Sequence, residues 1–566
     1  MQIIKSVFII ALLFSPVFII AQTTYLPDWS KEYKLVNRLE IKFGNNTDIN
    51  FSGIKPYSRR DIVREAEFID SAFGGNATNP RVSGVYLTDV DKYNLHSLLM
   101  NNSEWVSGEK ESFLSKKPIL KSFYITKPNL LEVNVKDFFL AVNPVISFQV
   151  GKESDRDETL FLNKRGVTAR GMIAHRIGFS TTITDNQERP PSFVRDYVQK
   201  NNALPGEGFI KGFQKTGYDY FNGSGYLTFN VAKYVDVQFG YDKNFIGDGY
   251  RSLFLDDFGN NYLFLKLNTK IWKLNYQNLF MELMPQITKR KLDDVGDLLL
   301  DRKYATMHHL SMDITRWLNV GLFEAVVFGR TNHFDFQYLN PIIFLRHIEG
   351  TVGSPDNALA GFDFKANVAK RFQFYGQFIL DEFHAKQIFK NNGSFANKYG
   401  YQLGVKYVDA FTVKNLDLQV ETNRVRPFTY SHYDSVANYT HYKQPLAHPL
   451  GANFQEYVGI VKYQPLPKVR FDARIIYYYK GLDSLKINMG GNIFRDYSVR
   501  PRDFGYFVGG GDRIDVVNAS ATLGYEFREN LFIEGNMIFR KQTGLKNINV
   551  FNIGLRWNAG RKDYSF

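Results

Sequence analysis

Two stretches of the chain concentrate residues with binding chemistry. The first runs Tyr241-Asp-Lys-Asn-Phe-Ile-Gly-Asp-Gly-Tyr-Arg-Ser-Leu-Phe-Leu-Asp-Asp257. Gly247 and Gly249 flank Asp248, and Tyr250 and Arg251 follow. A tight bend at these glycines would aim a carboxylate, a ring and a guanidinium at one place. Asp256 closes the stretch. The second contains Asn340-Pro341, Arg346, Glu349, Gly353, Asp356, Asn357, Gly361 and Asp363. Sugar recognition needs flat aromatic faces for C–H stacking, and planar carboxylate, amide and guanidinium groups to bond adjacent hydroxyls. The candidate polysaccharide-binding or lumen residues are therefore Asp248, Tyr250, Arg251, Asp256, Arg346, Glu349, Asp356 and Asn357. The same residue types also serve as internal Arg–carboxylate pairs that brace turns, and the sequence leaves both roles open.

Catalytic motifs are missing. Gly223-Ser224-Gly225 has the wrong spacing for a nucleophile elbow, and no H-E-x-x-H occurs. The ten histidines are scattered. His308 and His309 are adjacent in a predicted strand, which sends them to opposite faces and makes a shared metal improbable. Gly509-Gly510-Gly511-Asp512 lacks the Lys-Ser/Thr of a phosphate cradle. Cysteine is absent, which excludes disulfides, thiolate metal sites and a Cys nucleophile. The chain reads as a non-enzyme with no cofactor and no metal. Its formal charge of +13, from 70 Lys+Arg against 57 Asp+Glu, is spread along the chain. That suits an anionic polymer or lipid phosphate outside the cell better than nucleic acid.

The elements that must position these residues begin with an address. Met1–Lys5 carries one positive charge, Ser6–Ile20 is almost wholly apolar, and Ala21-Gln22 offers a cleavage junction. Residues 1–21 read as a secretory signal peptide, leaving a mature chain of 22–566. The run is too short to span a bilayer as a helix. An apolar share of 44% excludes wholesale disorder, and a mean hydropathy of −0.29 excludes a polytopic helical membrane protein.

From about residue 131 the pattern has a period of two. Phe362, Phe364, Ala366 and Val368 alternate with Asp363, Lys365 and Asn367; Leu416, Leu418 and Val420 alternate with Asp417, Gln419 and Glu421. Phe471 to Tyr479, Ala521 to Phe527 and Phe551 to Trp557 behave alike. One face is apolar and aromatic, the other polar. Many segments run to ~10–13 residues, long for soluble strands and suited to tilted membrane strands. Short polar connections near 232–233, 370–371, 466–467 and 529–530 alternate with long ones near 185–223, 331–355, 383–397, 425–453 and 481–513. Outer-membrane barrels sort their connections this way. The predicted fold is all-β: a large antiparallel transmembrane β-barrel of about 18 strands over 131–566. A secreted β-rich protein with aromatic cores is the competing reading. Residues 22–130 form a separate N-terminal region with short helices, in the periplasm or plugging the barrel mouth. Ser58–Asp61 and Thr88–Asp91 read as helix caps.

The runs N-F-I-G-D-G-Y-R-S-L-F-L at 244–255, Y-L-N-P at 338–341, R-H-I-E-G at 346–350 and D-N-A-L-A-G-F-D at 356–363 resemble the Wzi-type capsule-assembly outer-membrane family. Within it they are similar to the gliding-motility subgroup typified by RemB. The resemblance implies a large outer-membrane barrel with helices at its periplasmic end, acting as a surface lectin that holds exported polysaccharide. Implied partners are outer-membrane lipid, an anionic or neutral surface polysaccharide, and motility or secretion machinery proteins. An outer-membrane channel and an accessory barrel of a secretion or motility complex remain the alternatives. Nine residues follow Trp557, a departure from barrels that end on their last strand.

Overall fold

The computed structural model describes residues 23–44, 51–74, 84–116, 118–119, 122–285, 301–330, 333–353, 356–383, 390, 392–484 and 487–566. The leader predicted at 1–21 lies outside them. Among the described residues, eighteen antiparallel strands close into one barrel. They are β1 Phe138–Glu153, β2 Thr159–Ile173, β3 Ile177–Arg189, β4 Gly217–Ala232, β5 Val235–Asp242, β6 Tyr262–Ile271, β7 Leu274–Leu283, β8 Lys303–Asp313 and β9 Leu318–Phe328. The second half comprises β10 Asn357–Val368, β11 Phe372–Phe383, β12 Asn397–Tyr407, β13 Leu416–Val425, β14 Phe454–Leu466, β15 Val469–Leu482, β16 Asp512–Arg528, β17 Leu531–Gln542 and β18 Ile548–Trp557. Each strand pairs with its neighbours in sequence, and β18 closes on β1 with Trp557 opposite Ile146 and Val550 opposite Glu153. Beyond the end of β18, the short strand Leu131–Val135 continues along the same edge of β1.

The period-two pattern sorts the two faces. Val420 is 59% exposed on the outer wall, while its neighbour Glu421 is 1% exposed inside. Leu523, Ile533, Phe551 and Ile553 are likewise exposed on the outside, and Lys365, Gln402 and Asn423 are buried within. An apolar exterior around a polar interior inverts a soluble protein and matches a wall solvated by lipid. Among the described residues no helix is long and apolar enough to cross a membrane.

Connections differ sharply between the two ends. The turns after β2, β4, β6, β10, β14 and β16 are two or three residues long, as at Lys233–Tyr234 and Glu529–Asn530. The opposite rim carries the long connections 190–216, 243–261, 329–356, 426–453 and 483–511. Short turns mark the periplasmic end of outer-membrane barrels.

Helices close that end. The helices α1 Glu32–Phe43, α2 Arg59–Gly74 and α3 Asp89–Asn101 share an apolar core that includes Leu35, Leu39, Val63, Ile69, Leu95 and Leu98. At α3, Thr88 and Asp91 form a reciprocal capping box. At α2, the Ser58 hydroxyl accepts from the Asp61 N–H at 3.3 Å. The α1 helix had no such sequence signal, because Lys31 precedes it and contributes no side-chain cap. Salt bridges tie the bundle to the turns. Arg38 on α1 donates to Asp91 and Asp409 at 2.9 Å each, and also to Asp417. Lys31 pairs with Glu526 and Glu529. Arg170 on β2 pairs with Glu104 at 3.0 Å. Burial opposes the Asp91 charge, but Arg38 and Lys42 outweigh it and hold the carboxyl at about 2.

Candidate functional site

The first candidate stretch lies inside the barrel. Residues 243–261 connect β5 to β6 at the long-loop rim but fold inward. Phe245–Ile246 pairs antiparallel with Ile54–Lys55, which rises from the helical bundle. The chain then presses against the far wall: a Cβ on Gly249 would lie 2.6 Å from a Glu421 carboxylate oxygen and 2.7 Å from the Gln402 amide oxygen. Glycine is therefore needed here for close approach rather than for its φ.

The bend does not aim its three functional groups at one place. Asp248 faces the bundle, where Lys365 lies at 3.3 Å and also meets Glu40 at 2.8 Å. Burial works against its charge, but Lys365, Lys406 and Lys55 hold it below the usual carboxylate range. Tyr250 and Arg251 turn elsewhere. Glu421 accepts their backbone N–H groups at 2.6 and 3.1 Å. The Tyr250 hydroxyl meets Ser565 and Arg474 at 2.7 Å each. The Arg251 guanidinium donates to the Ser565 carbonyl and lies 3.5 Å from Glu456. Asp256 accepts the N–H groups of Ser252 and Phe258 at 2.9 Å each, capping the loop's own turn. Burial, aided by Asp257, pushes its carboxyl up to about 8.

Ser565 belongs to the segment that follows β18. The strand ends at Trp557, and residues 558–566 turn into the lumen and climb toward the long-loop rim. Arg561 pairs with Glu534 at 2.8 Å and Asp472 at 3.3 Å. Asp563 pairs with Arg474, and Phe566 packs against Phe193 and Tyr197 of the helix α4 Ser192–Asn201. Bundle, inward loop and tail together fill the lumen, leaving a polar cavity of about 650 Å³. Asp248, Tyr250, Arg251 and Asp256 all line it, with Lys243, Lys406 and Lys462.

The second stretch sits at and outside the rim. Asp356 receives both terminal nitrogens of Arg330 at 2.7 and 2.6 Å and the Tyr338 hydroxyl at 2.6 Å. Glu349 is buried on the short helix α5 Arg346–Thr351, and Arg346 bridges to it at 3.1 Å with its own side chain exposed. Asn357 points inward and donates to the Ala437 carbonyl at 3.0 Å. Of this group only Asn357 faces the lumen; the barrel wall separates Arg346 and Glu349 from the lumen group. His308 and His309 part as their alternation predicts. His309 meets Asp363 inside at 2.6 Å, and His308 meets Glu324 on the outer face at 2.9 Å. Among the described residues no cluster of three potential metal ligands occurs.

Sequence reasoning passed over the lid. Loop 426–453 folds down into the mouth, where the Tyr430 and Tyr439 hydroxyls donate to the Leu253 and Phe254 carbonyls at 2.8 and 2.6 Å. Tyr430, Tyr439, Leu446 and Leu450 join Phe254, Met281, Phe323 and Val327 in one apolar core inside the upper barrel. The signal was present: Gly321–Phe328 is apolar on both faces save Glu324, as a doubly buried strand would be. Residues 487–511 of the next long loop lie over this core, tied by the Phe428 N–H to the Gly490 carbonyl and the Tyr506 N–H to the Gly393 carbonyl. Their outer side carries Val499, Phe504 and Phe507, all exposed, with the Arg500–Asp503 pair at 2.7 Å. Arg500 stacks 3.3 Å from the Phe395 ring centroid, and Tyr433 of the neighbouring loop is also exposed.

Residues 272–492 match the family model described as capsule assembly protein Wzi. The match takes in Y-L-N-P, R-H-I-E-G and D-N-A-L-A-G-F-D but not the run at 244–255. Among solved structures the chain resembles Wzi of Escherichia coli, described as an outer-membrane protein of group 1 capsule assembly and a carbohydrate-binding β-barrel. Identity is 12%, the TM-score is 0.54, and the similarity covers 96% of this chain and 100% of that one. The OprD barrel of Pseudomonas aeruginosa aligns at 11% identity and a TM-score of 0.42, over 74% of this chain and 94% of that one. OccAB4 of Acinetobacter baumannii gives 10%, 0.41, 75% and 98%. No curated protein sequence matches.

Proposed function

We propose that this protein is a non-enzymatic outer-membrane barrel that holds surface polysaccharide on the cell through its outer loops, in capsule assembly. The observation that carries this reading is the lid. Loop 483–511 offers Phe504 and Phe507 beside Arg500, Arg502 and Asp503 on a platform anchored to the core beneath. Rings and planar charged groups on a rigid support are what sugar recognition requires. The Wzi family match and the E. coli Wzi fold support the same function. The lumen group, by contrast, is engaged in internal pairs, and a filled lumen counts against a conducting channel. The apolar run Ser6–Ile20 supports export through a cleaved leader. The resemblance to the gliding-motility subgroup adds surface adhesion as a use of the retained polymer.

The test is calorimetric titration of folded, detergent-solubilised protein with isolated bacterial surface polysaccharides. Binding is expected, and Phe504→Ala with Phe507→Ala should weaken it by about tenfold, ~1.4 kcal/mol. Absence of heat with every polysaccharide would overturn the reading.

A further inference from the structure

The connection between β9 and β10 does not stand above the rim. Its described part, residues 333–353, folds back over the outer wall. There it covers polar side chains that face away from the lumen. The Tyr338 carbonyl accepts from the Thr306 hydroxyl at 3.1 Å. The Pro341 carbonyl accepts from the Tyr276 hydroxyl at 2.5 Å and the Asn278 amide at 3.4 Å. Glu324 accepts the N–H groups of Phe344 and Leu345 at 2.6 and 2.8 Å, besides its contact with His308. Asn278, His308 and Glu324 lie side by side across β7, β8 and β9. Without the loop, this row would put an amide, an imidazole and a carboxylate on the lipid face halfway up the wall, where such groups are costly.

The loop's other side carries a cluster of large apolar side chains. Phe336, Ile342 and Phe344 are 78%, 69% and 68% exposed, and Leu339 adds to them. Below the polar row the bare wall shows Leu310, Leu322 and Phe362. Above it, Val326 and Phe328 pack under the loop with Tyr338 and Leu345. An apolar belt must run unbroken around a membrane barrel, ~25 Å tall. Here the strands, at 10 to 12 residues, are long enough to span, but the polar row and the covering loop occupy the upper half of their outer face. In this sector the loop alone can complete the belt's upper half.

Irregular backbone survives at membrane depth only when its polar groups are satisfied within the protein. Here they are met closely. The N–H groups of Tyr338, Asn340, His347, Glu349 and Val352 find carbonyls inside the segment. Those of Gln337 and Ile342 find the Asp335 and Asn340 side chains at 3.2 and 3.1 Å. Arg346 is exposed, and its charge is met on one side by the buried Glu349 at 3.1 Å.

We propose that residues 333–353 form a lipid-embedded ledge, with Phe336, Ile342 and Phe344 in contact with the acyl chains of the surrounding bilayer. The natural chain has no cysteine, so single sites label cleanly. Ile342→Cys and Phe344→Cys would each carry a bimane, alongside Leu322→Cys on the bare wall and Phe504→Cys on the lid. Protein shown to be folded by a change in gel migration on boiling is reconstituted into brominated phosphatidylcholine vesicles. The ledge sites are expected to be quenched by the brominated chains as strongly as Leu322→Cys, and spared by aqueous iodide. Quenching by iodide to the level of Phe504→Cys would overturn the proposal. Shielding from both quenchers would also overturn it, showing instead that a protein surface covers the ledge. If Leu322→Cys itself escapes the lipid quencher, the membrane reading fails along with it. If only the ledge sites escape, the membrane reading stands and the ledge does not.

Discussion

Asp248, Tyr250 and Arg251 are neighbours in sequence, yet they serve two separate polar networks. Asp248 neutralises Lys365 beside the bundle, while Tyr250 and Arg251 join Arg474, Glu456 and the tail. Residue types were legible from sequence; partners 100 to 300 positions away were not, because an alternating pattern assigns a face and not a neighbour. The glycine between them gives a direct test. Gly249→Ala would drive a methyl against Glu421 and Gln402, and should lower stability by about 1–3 kcal/mol, read from the urea midpoint of the folded barrel. At the rim, Asp356→Asn keeps the shape but removes the charge that holds Arg330. It should cost about 1.5–3 kcal/mol and expose segment 333–353 to limited proteolysis. An unchanged cleavage pattern would show that Arg330 does not fasten the loop.

Among elements, the strands were the most legible part. Turns expected near 232–233, 370–371, 466–467 and 529–530 fall at 233–234, 369–371, 467–468 and 529–530. Alternation and turn chemistry are local, so sequence reports them well. The inward fold of 243–261 and 426–453 and the climb of the tail are tertiary choices. Only the doubly apolar strand Leu318–Phe328 hinted at them. The bundle hangs on Arg38, which faces Asp91, Asp409 and Asp417. Arg38→Ala would take the shared cation from Asp417 and leave Asp91 and Asp409 to Lys42 alone, and should weaken the bundle's attachment by about 3–5 kcal/mol. Single-channel recordings should then show openings that the parent lacks. The same contact sets an acid limit. The Asp91 carboxyl is held at about 2 in the fold, below the ~4 of an unfolded chain. Its contribution, on the order of 2 kcal/mol, is present above about pH 4 and fades as pH falls through 2. Amide protection in α1 and α3, measured against the intrinsic exchange rate at each pH, should therefore hold at about pH 5 and fall toward pH 2, ahead of the barrel strands.

At the scale of the whole molecule, wall, plug and lid divide the work. The wall is solvated by lipid, the bundle and tail close the lumen, and the lid faces outward on an apolar core. Barrel, strand number and the two capped N-terminal helices could be read in the sequence because each rests on periodicity or a cap, whereas the uncapped α1 could not. The outward-facing ring surface could not, since loop residues carry no period and their exposure depends on what lies beneath. A filled lumen predicts that the parent protein reconstituted in planar bilayers stays silent; steady conductance would return the channel reading. The most direct test of the central claim compares cell-bound with shed polysaccharide in the source bacterium lacking this protein. The cells should shed polymer that the parent retains, the intact protein should restore retention, and the Phe504→Ala, Phe507→Ala form should restore it poorly although its gel migration still changes on boiling, as a folded barrel's does. Equal retention with and without the protein would contradict the account.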